Sequence, residues 1–103
     1  MNLGTRQLFV YWRLPSSGLA EAVVSMRQLQ GKLSSSHQEL VCSLFVRSDG
    51  ADATLMESYA IEGPANSSGI DVQLQREITE LGDAQSSGWR TGLRHVEVFD
   101  KVT

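Results

Sequence analysis

Apolar residues along this chain fall into dense short runs and into stretches where they recur every third or fourth position, separated by polar breaks. The first dense run, Gln7-Leu8-Phe9-Val10-Tyr11-Trp12-Arg13-Leu14, is rich in aromatic and β-branched residues and stops at Pro15. Those side chains suit a pleated surface, and apolar residues of both parities predict a strand central in its sheet. Pro15-Ser16-Ser17-Gly18 predicts a turn whose hydroxyls can cap a following helix. Over residues 19–33 the apolar positions Leu19, Ala22, Val23, Met26, Leu29 and Leu33 step mainly by three and four. That period puts them on one helical stripe, with Glu21, Arg27, Gln28 and Lys32 facing away.

Ser34-Ser35-Ser36-His37 breaks the period, and a second strand is expected over about residues 39–47. Ser48-Asp49-Gly50-Ala51-Asp52 contains Asp-Gly, the strongest short-range hairpin signal, so the next strand (residues 54–62) should pair with the second. Gly63-Pro64-Ala65-Asn66-Ser67-Ser68 predicts a loop in which Ser67 or Ser68 caps a second helix. The stripe of that helix is Ile70, Leu74, Ile78 and Leu81. A Ser/Gly-rich loop carrying Trp89 is expected over residues 83–92, then a last strand over 93–99. The order β-α-β-β-α-β, with right-handed crossovers, predicts a single α+β domain over residues 1–103. Its fold is expected to be ferredoxin-like: a four-stranded antiparallel sheet with both helices on one face, the first and third strands central and the fourth beside the first.

A chain of 103 residues with 41% apolar composition can bury a core unaided. Net charge is −3, from 9 basic and 12 acidic residues, and no segment gathers the Lys/Arg stripe that phosphate backbones require, so nucleic acid is not an expected partner. The single Cys42 allows neither an internal disulfide nor a cysteine-rich metal site, and its apolar surroundings read as a small buried hydrophobe. The opening Met1-Asn2-Leu3-Gly4-Thr5-Arg6 lacks the apolar core of a signal peptide, and no stretch approaches membrane-spanning length. A cytoplasmic protein is expected, with no membrane partner.

Two helices cover one face of a four-stranded sheet and leave the other open. Strand alternation sorts the residues between faces. Placing the smaller apolar sets beneath the helices sends Tyr11, Arg13, Glu57, Tyr59, His95 and Glu97 to the open face, together with Phe9, Leu55 and Phe99. So much apolar area in water marks an interface or a ligand site. A sheet-to-sheet homodimer enclosing a partly polar cavity is the expected arrangement. The alternative is a monomer whose C-terminal tail or Trp89 loop folds over the face.

The six polar residues supply a proton acceptor, carboxylates, phenols and a cation. His95 beside a carboxylate suits general acid–base work. Mutual neutralisation, with Arg13 pairing Glu57 or Glu97, explains the same residues without chemistry. His95, Glu57 and Glu97 resemble a facial metal set, but Arg13 among them opposes a cation, so no metal is expected. His37 reads as solvated. No nucleophile elbow, P-loop or dinucleotide fingerprint occurs, and no cofactor is expected.

Three blocks of the chain resemble a known family: Phe9-Val10-Tyr11-Trp12-Arg13-Leu14-Pro15, Leu55-Met56-Glu57-Ser58-Tyr59, and Arg94-His95-Val96-Glu97-Val98-Phe99. It is the uncharacterised domain-of-unknown-function family numbered 4936, small proteins found mainly in betaproteobacteria. The chain departs from that pattern at Leu55, where an aromatic is usual, and in its Ser34-Ser35-Ser36 tract. The family has no assigned activity, so the resemblance implies the fold and a site at the recurring residues, not a reaction. The expected function is a small dimer using the open face for self-association or for binding a small ligand. The rivals are a dimeric α+β-barrel enzyme, monooxygenase- or isomerase-like, with His95 as acid/base, and an adaptor that binds a protein by its edge strand.

Overall fold

The computed structural model describes residues 2–64 and 67–102; of the loop expected before the second helix, Ala65 and Asn66 lie outside them. The elements in order are β1 (Asn2–Leu3), β2 (Arg6–Pro15), α1 (Leu19–Ser36), β3 (Leu40–Asp49), β4 (Asp52–Gly63), α2 (Val72–Ser86) and β5 (Thr91–Asp100). Across the sheet the strands run β3-β4-β2-β5, each antiparallel to its neighbours, with β2 and β4 central. The two-residue β1 pairs with the end of β4, Leu3 opposite Glu62, and prolongs the line of β2. This is the ferredoxin-like arrangement of four antiparallel strands and two helices. No helix among the described residues is long and apolar enough to cross a membrane.

The hairpin forms as its Asp-Gly signal predicts. Asp49 pairs with Asp52 across Gly50-Ala51, and Gly50 has φ +73, a backbone region open to glycine without strain. Helix ends differ from expectation. Ser34-Ser35-Ser36 continues α1 because Ser35 donates back to the Gly31 carbonyl at 2.9 Å and Ser34 faces the Cys42 sulfur, so these hydroxyls find partners without unwinding the helix. The helix ends at His37, whose backbone N–H bonds the Leu33 carbonyl. No side chain caps its start: Ser16 turns away and donates to the Gly50 carbonyl at 2.8 Å. The cap of α2 is Asp71, accepting from the Leu74 N–H at 2.7 Å, rather than Ser67 or Ser68. That helix also runs three residues past Asp83, into the expected loop.

The core lies between the helices and one face of the sheet. Leu8, Val10, Trp12 and Leu14 of β2 meet Ala22, Met26, Leu29 and Leu33 of α1, with Leu74 and Ile78 of α2 and Ile70 before it. Leu81, expected on the same stripe, is 44% exposed. From β4 the inward set is Ala53, Leu55, Glu57 and Tyr59, all essentially buried. This reverses the parity expected for β4, which placed Leu55, Glu57 and Tyr59 outward. The reversal follows from the register of β4 on β2. It puts Leu55 opposite Trp12 and Glu57 opposite Val10, and directly opposite residues share a face.

Candidate functional site

The strand register lays the open face out as four rows. The first holds Arg47, Thr54 and Arg13; the second Phe45, Met56, Tyr11 and His95; the third Ser43, Ser58, Phe9 and Glu97. The fourth has Val41 and Ala60 on one side and Gln7 and Phe99 on the other. Between the last two strands the register slips at a bulge between Tyr11 and Arg13, so Arg13 lies opposite Thr91.

Of the six expected site residues, Tyr11, Arg13, His95 and Glu97 share this face; Glu57 and Tyr59 do not. Tyr11 and His95 are cross-strand partners whose rings stack with centroids 5.1 Å apart. The Tyr11 hydroxyl donates to Glu97 Oε1 at 2.8 Å, and that hydrogen bond, with the carboxylate's charge, raises the phenol's pKa above its usual value. Arg13 pairs with neither expected glutamate. Its guanidinium sits 3.6 Å from Asp52 and 3.9 Å from Asp49, an exposed pairing at the hairpin end. Apolar surface surrounds these groups: Phe45 and Phe99 are about half exposed, and Phe9 packs edge-on against Phe99 at 5.7 Å. A hollow of about 350 Å³ lies among Tyr11, Phe45, Val46, Arg47, Thr54 and Met56. Neither expected cover is present among the described residues. Trp89 packs on the core beside Gly18, and Val102 is 92% exposed.

The displaced Glu57 belongs to a buried network on the opposite face. Arg94 of β5 grips it with two bonds, Nε to Oε2 at 2.9 Å and Nη2 to Oε1 at 2.6 Å. Trp12 Nε1 donates to Oε2 at 2.8 Å and the Tyr59 hydroxyl to Oε1. Remaining Arg94 donors reach the carbonyls of Thr79 and Ile78 and the carboxylate of Asp83. A doubly held, fully hydrogen-bonded ion pair is the condition under which two charges tolerate burial. Burial opposes the charge of Arg94, but the hydrogen bonds and charge of Glu57 outweigh it and raise its pKa. Burial, then the neighbouring Glu57, pushes the Tyr59 phenol far up. Gly82 of α2 makes the room: a Cβ there would overlap the guanidinium. Its four side chains, Glu57, Tyr59, Trp12 and Arg94, are buried, and the cluster serves as internal structure.

Arg94 was missed at the level of sequence, although it shares parity with Val96 and Val98, whose inward position was expected. An arginine on that parity requires a buried acceptor, and Glu57 on the central strand is the carboxylate that can reach. With Glu57 on the far side of the sheet from His95 and Glu97, the facial metal set is divided. Among the described residues no group of three or more His, Cys, Asp or Glu is placed to hold a metal.

The fold thus defines an α+β domain with one helix-covered and one open sheet face. No family model and no curated protein matches the chain. Two solved structures share its fold along nearly its whole length. One is a candidate antibiotic biosynthesis monooxygenase from Caulobacter crescentus CB15, with TM-score 0.64, 16% identity, and 98% of this chain and 92% of that one covered. The other is the C-terminal domain of the MgtC protein from Mycobacterium tuberculosis, with TM-score 0.59, 10% identity, and 97% and 94% covered. At these identities the likeness is one of fold.

Proposed function

We propose that this domain is a small cytoplasmic homodimer that uses its open sheet face for self-association or for holding a small ligand. Membership of the family numbered 4936, which the chain resembles, is part of the same proposal. The observation that carries it is the run of aromatic and aliphatic side chains on a face that no helix covers: Phe45 and Phe99, about half exposed, and Phe9, Tyr11 and Met56, partly exposed. Four strands and four rows give that face about 500 Å² once side chains are counted, below the ~800 Å² per partner of a standard stable interface. Association is therefore weak and concentration-dependent. The 350 Å³ hollow beside Tyr11 has the size of a small-ligand site. Sedimentation across a concentration series tests the reading: the natural chain shifts from monomer to dimer, and Tyr11→Ala weakens the shift. A monomer at every concentration, or association indifferent to Tyr11→Ala, removes it.

One observation favours a second reading, an acid–base enzyme with His95 as the base. Tyr11 both stacks on His95 and bonds Glu97, so three proton-handling groups meet on one surface. In that reading Tyr11, and not the buried Tyr59, orients a substrate whose anionic group Arg13 holds. Monooxygenase activity is named for one structural neighbour and not for this chain, and shared fold alone transfers no chemistry. A His95→Ala chain that keeps its fold and association but loses a ligand-dependent turnover would favour this reading.

A further inference from the structure

Resting on the self-association proposed above, we infer that two copies of this chain pack sheet on sheet about a two-fold axis running across the strands, between the row of Tyr11 and the row of Phe9. His95 of each copy then faces Glu97 of the other. Aligned sheet packing offers two such axes, along the strands or across them. An axis along the strands lays each row on itself. The bulky row of Phe45, Met56 and Tyr11 would then meet its own copy, Met56 against Tyr11, while the smaller pairs, Ser58 with Phe9 and Ser43 with Glu97, would all fall in the next row. An axis across the strands keeps strand order and exchanges the rows. Phe45 and Met56 descend onto Ser43 and Ser58, bulky onto small, and Tyr11 meets Phe9 as an aromatic pair, which spreads the bulk evenly over two sheets at about the 10 Å of a packed pair.

Charge favours the same choice. His95 and Glu97 stand two residues apart on β5, in the two rows that exchange, so one axis brings two His–Glu contacts together. The Tyr11 hydroxyl occupies Oε1 of Glu97, which leaves Oε2 for an incoming donor. The arginine row meets the neutral Val41, Ala60 and Gln7, so the exchange lays no cation on another.

Sedimentation equilibrium of the full chain reads the dimer constant. Glu97→Lys weakens it about tenfold or more, and His95→Glu combined with Glu97→Lys in one chain, which sets a carboxylate opposite an ammonium at both contacts, returns it to within about threefold of the natural value. Should the charge variants fail to fold, cross-linking carries the test. In a Cys42→Ser background, a short bifunctional thiol reagent, needed because facing Cα atoms of two packed sheets lie too far apart for a direct disulfide, joins a mixture of Met56→Cys and Ser58→Cys chains into a heterodimer and joins neither chain alone efficiently. A natural chain that never associates overturns the self-association itself. A dimer that withstands Glu97→Lys, or one for which both the charge exchange and the mixed cross-link fail, overturns this axis and leaves self-association standing.

Discussion

Replacing Arg94 with Met isolates the cost of stranding a charge inside this fold. Glu57 is fully buried and accepts from Arg94 twice, from Trp12 and from Tyr59. Arg94→Met deletes the counter-charge and two of those four bonds while filling much of the same space. Breaking one side of a buried ion pair costs about 3–5 kcal/mol, against a total stability of about 5–15 kcal/mol for a domain of this kind. With a urea slope of roughly 1.5–2 kcal/mol per molar, the unfolding midpoint should fall by roughly 1.5–3 M. Urea titration followed by tryptophan fluorescence is the assay, since Trp12 donates directly to Glu57. The sharper expectation is a change of sign. Glu57→Gln destabilises the natural chain, because it removes the carboxylate that Arg94 needs. In the Arg94→Met background it stabilises, because it neutralises an orphaned charge and keeps an acceptor for Trp12 or Tyr59. A cycle whose two effects simply add, or an Arg94→Met chain that loses less than about 1 kcal/mol, would refute the network as described.

Two glycines in helices should respond in opposite directions. Gly31→Ala in α1 meets nothing within 4 Å and should raise stability by about 0.5–1 kcal/mol. Gly82→Ala in α2 drives a methyl into the Arg94 guanidinium and should cost about 2 kcal/mol or more; thermal melts compare the pair, and equal effects would show that the room at Gly82 is not needed. Tyr59 predicts an alkaline limit. Its folded pKa is raised by burial, so the unfolded chain releases this proton above about pH 10 while the folded chain keeps it. The contribution is whole below that pH and is lost as pH rises, at about 1.4 kcal/mol per pH unit. Tyr59→Phe should flatten this part of the slope in urea midpoints measured up to about pH 11, and an unchanged slope would contradict the burial.

The elements themselves were legible because each carries a local signal. The Asp-Gly turn announces the β3–β4 hairpin, Pro15 ends β2, and the three-and-four spacing from Leu19 to Leu33 announces α1. Where local signals compete, the reading failed. Ser34-Ser35-Ser36 resembles a break, yet Ser35 is satisfied within the helix it was expected to end. Four of the six expected site residues do meet on the open face, since the inward sets chosen for β2 (Val10, Trp12, Leu14) and β5 (Val96, Val98) match the observed parity. β4 does not: both of its parities mix apolar and polar residues, so choosing the smaller apolar set put Glu57 and Tyr59 on the wrong side.

Periodicity and turn chemistry, which depend only on neighbours along the chain, were enough to specify this α+β order and the strand sequence across the sheet. Which carboxylate is buried was decided elsewhere. It depends on Arg94, 37 residues away from Glu57, reaching it through the space left by Gly82, and on the register in which β4 pairs with β2. Burial of a charge is a property of its partners in space, and a one-dimensional pattern carries no record of who those partners are.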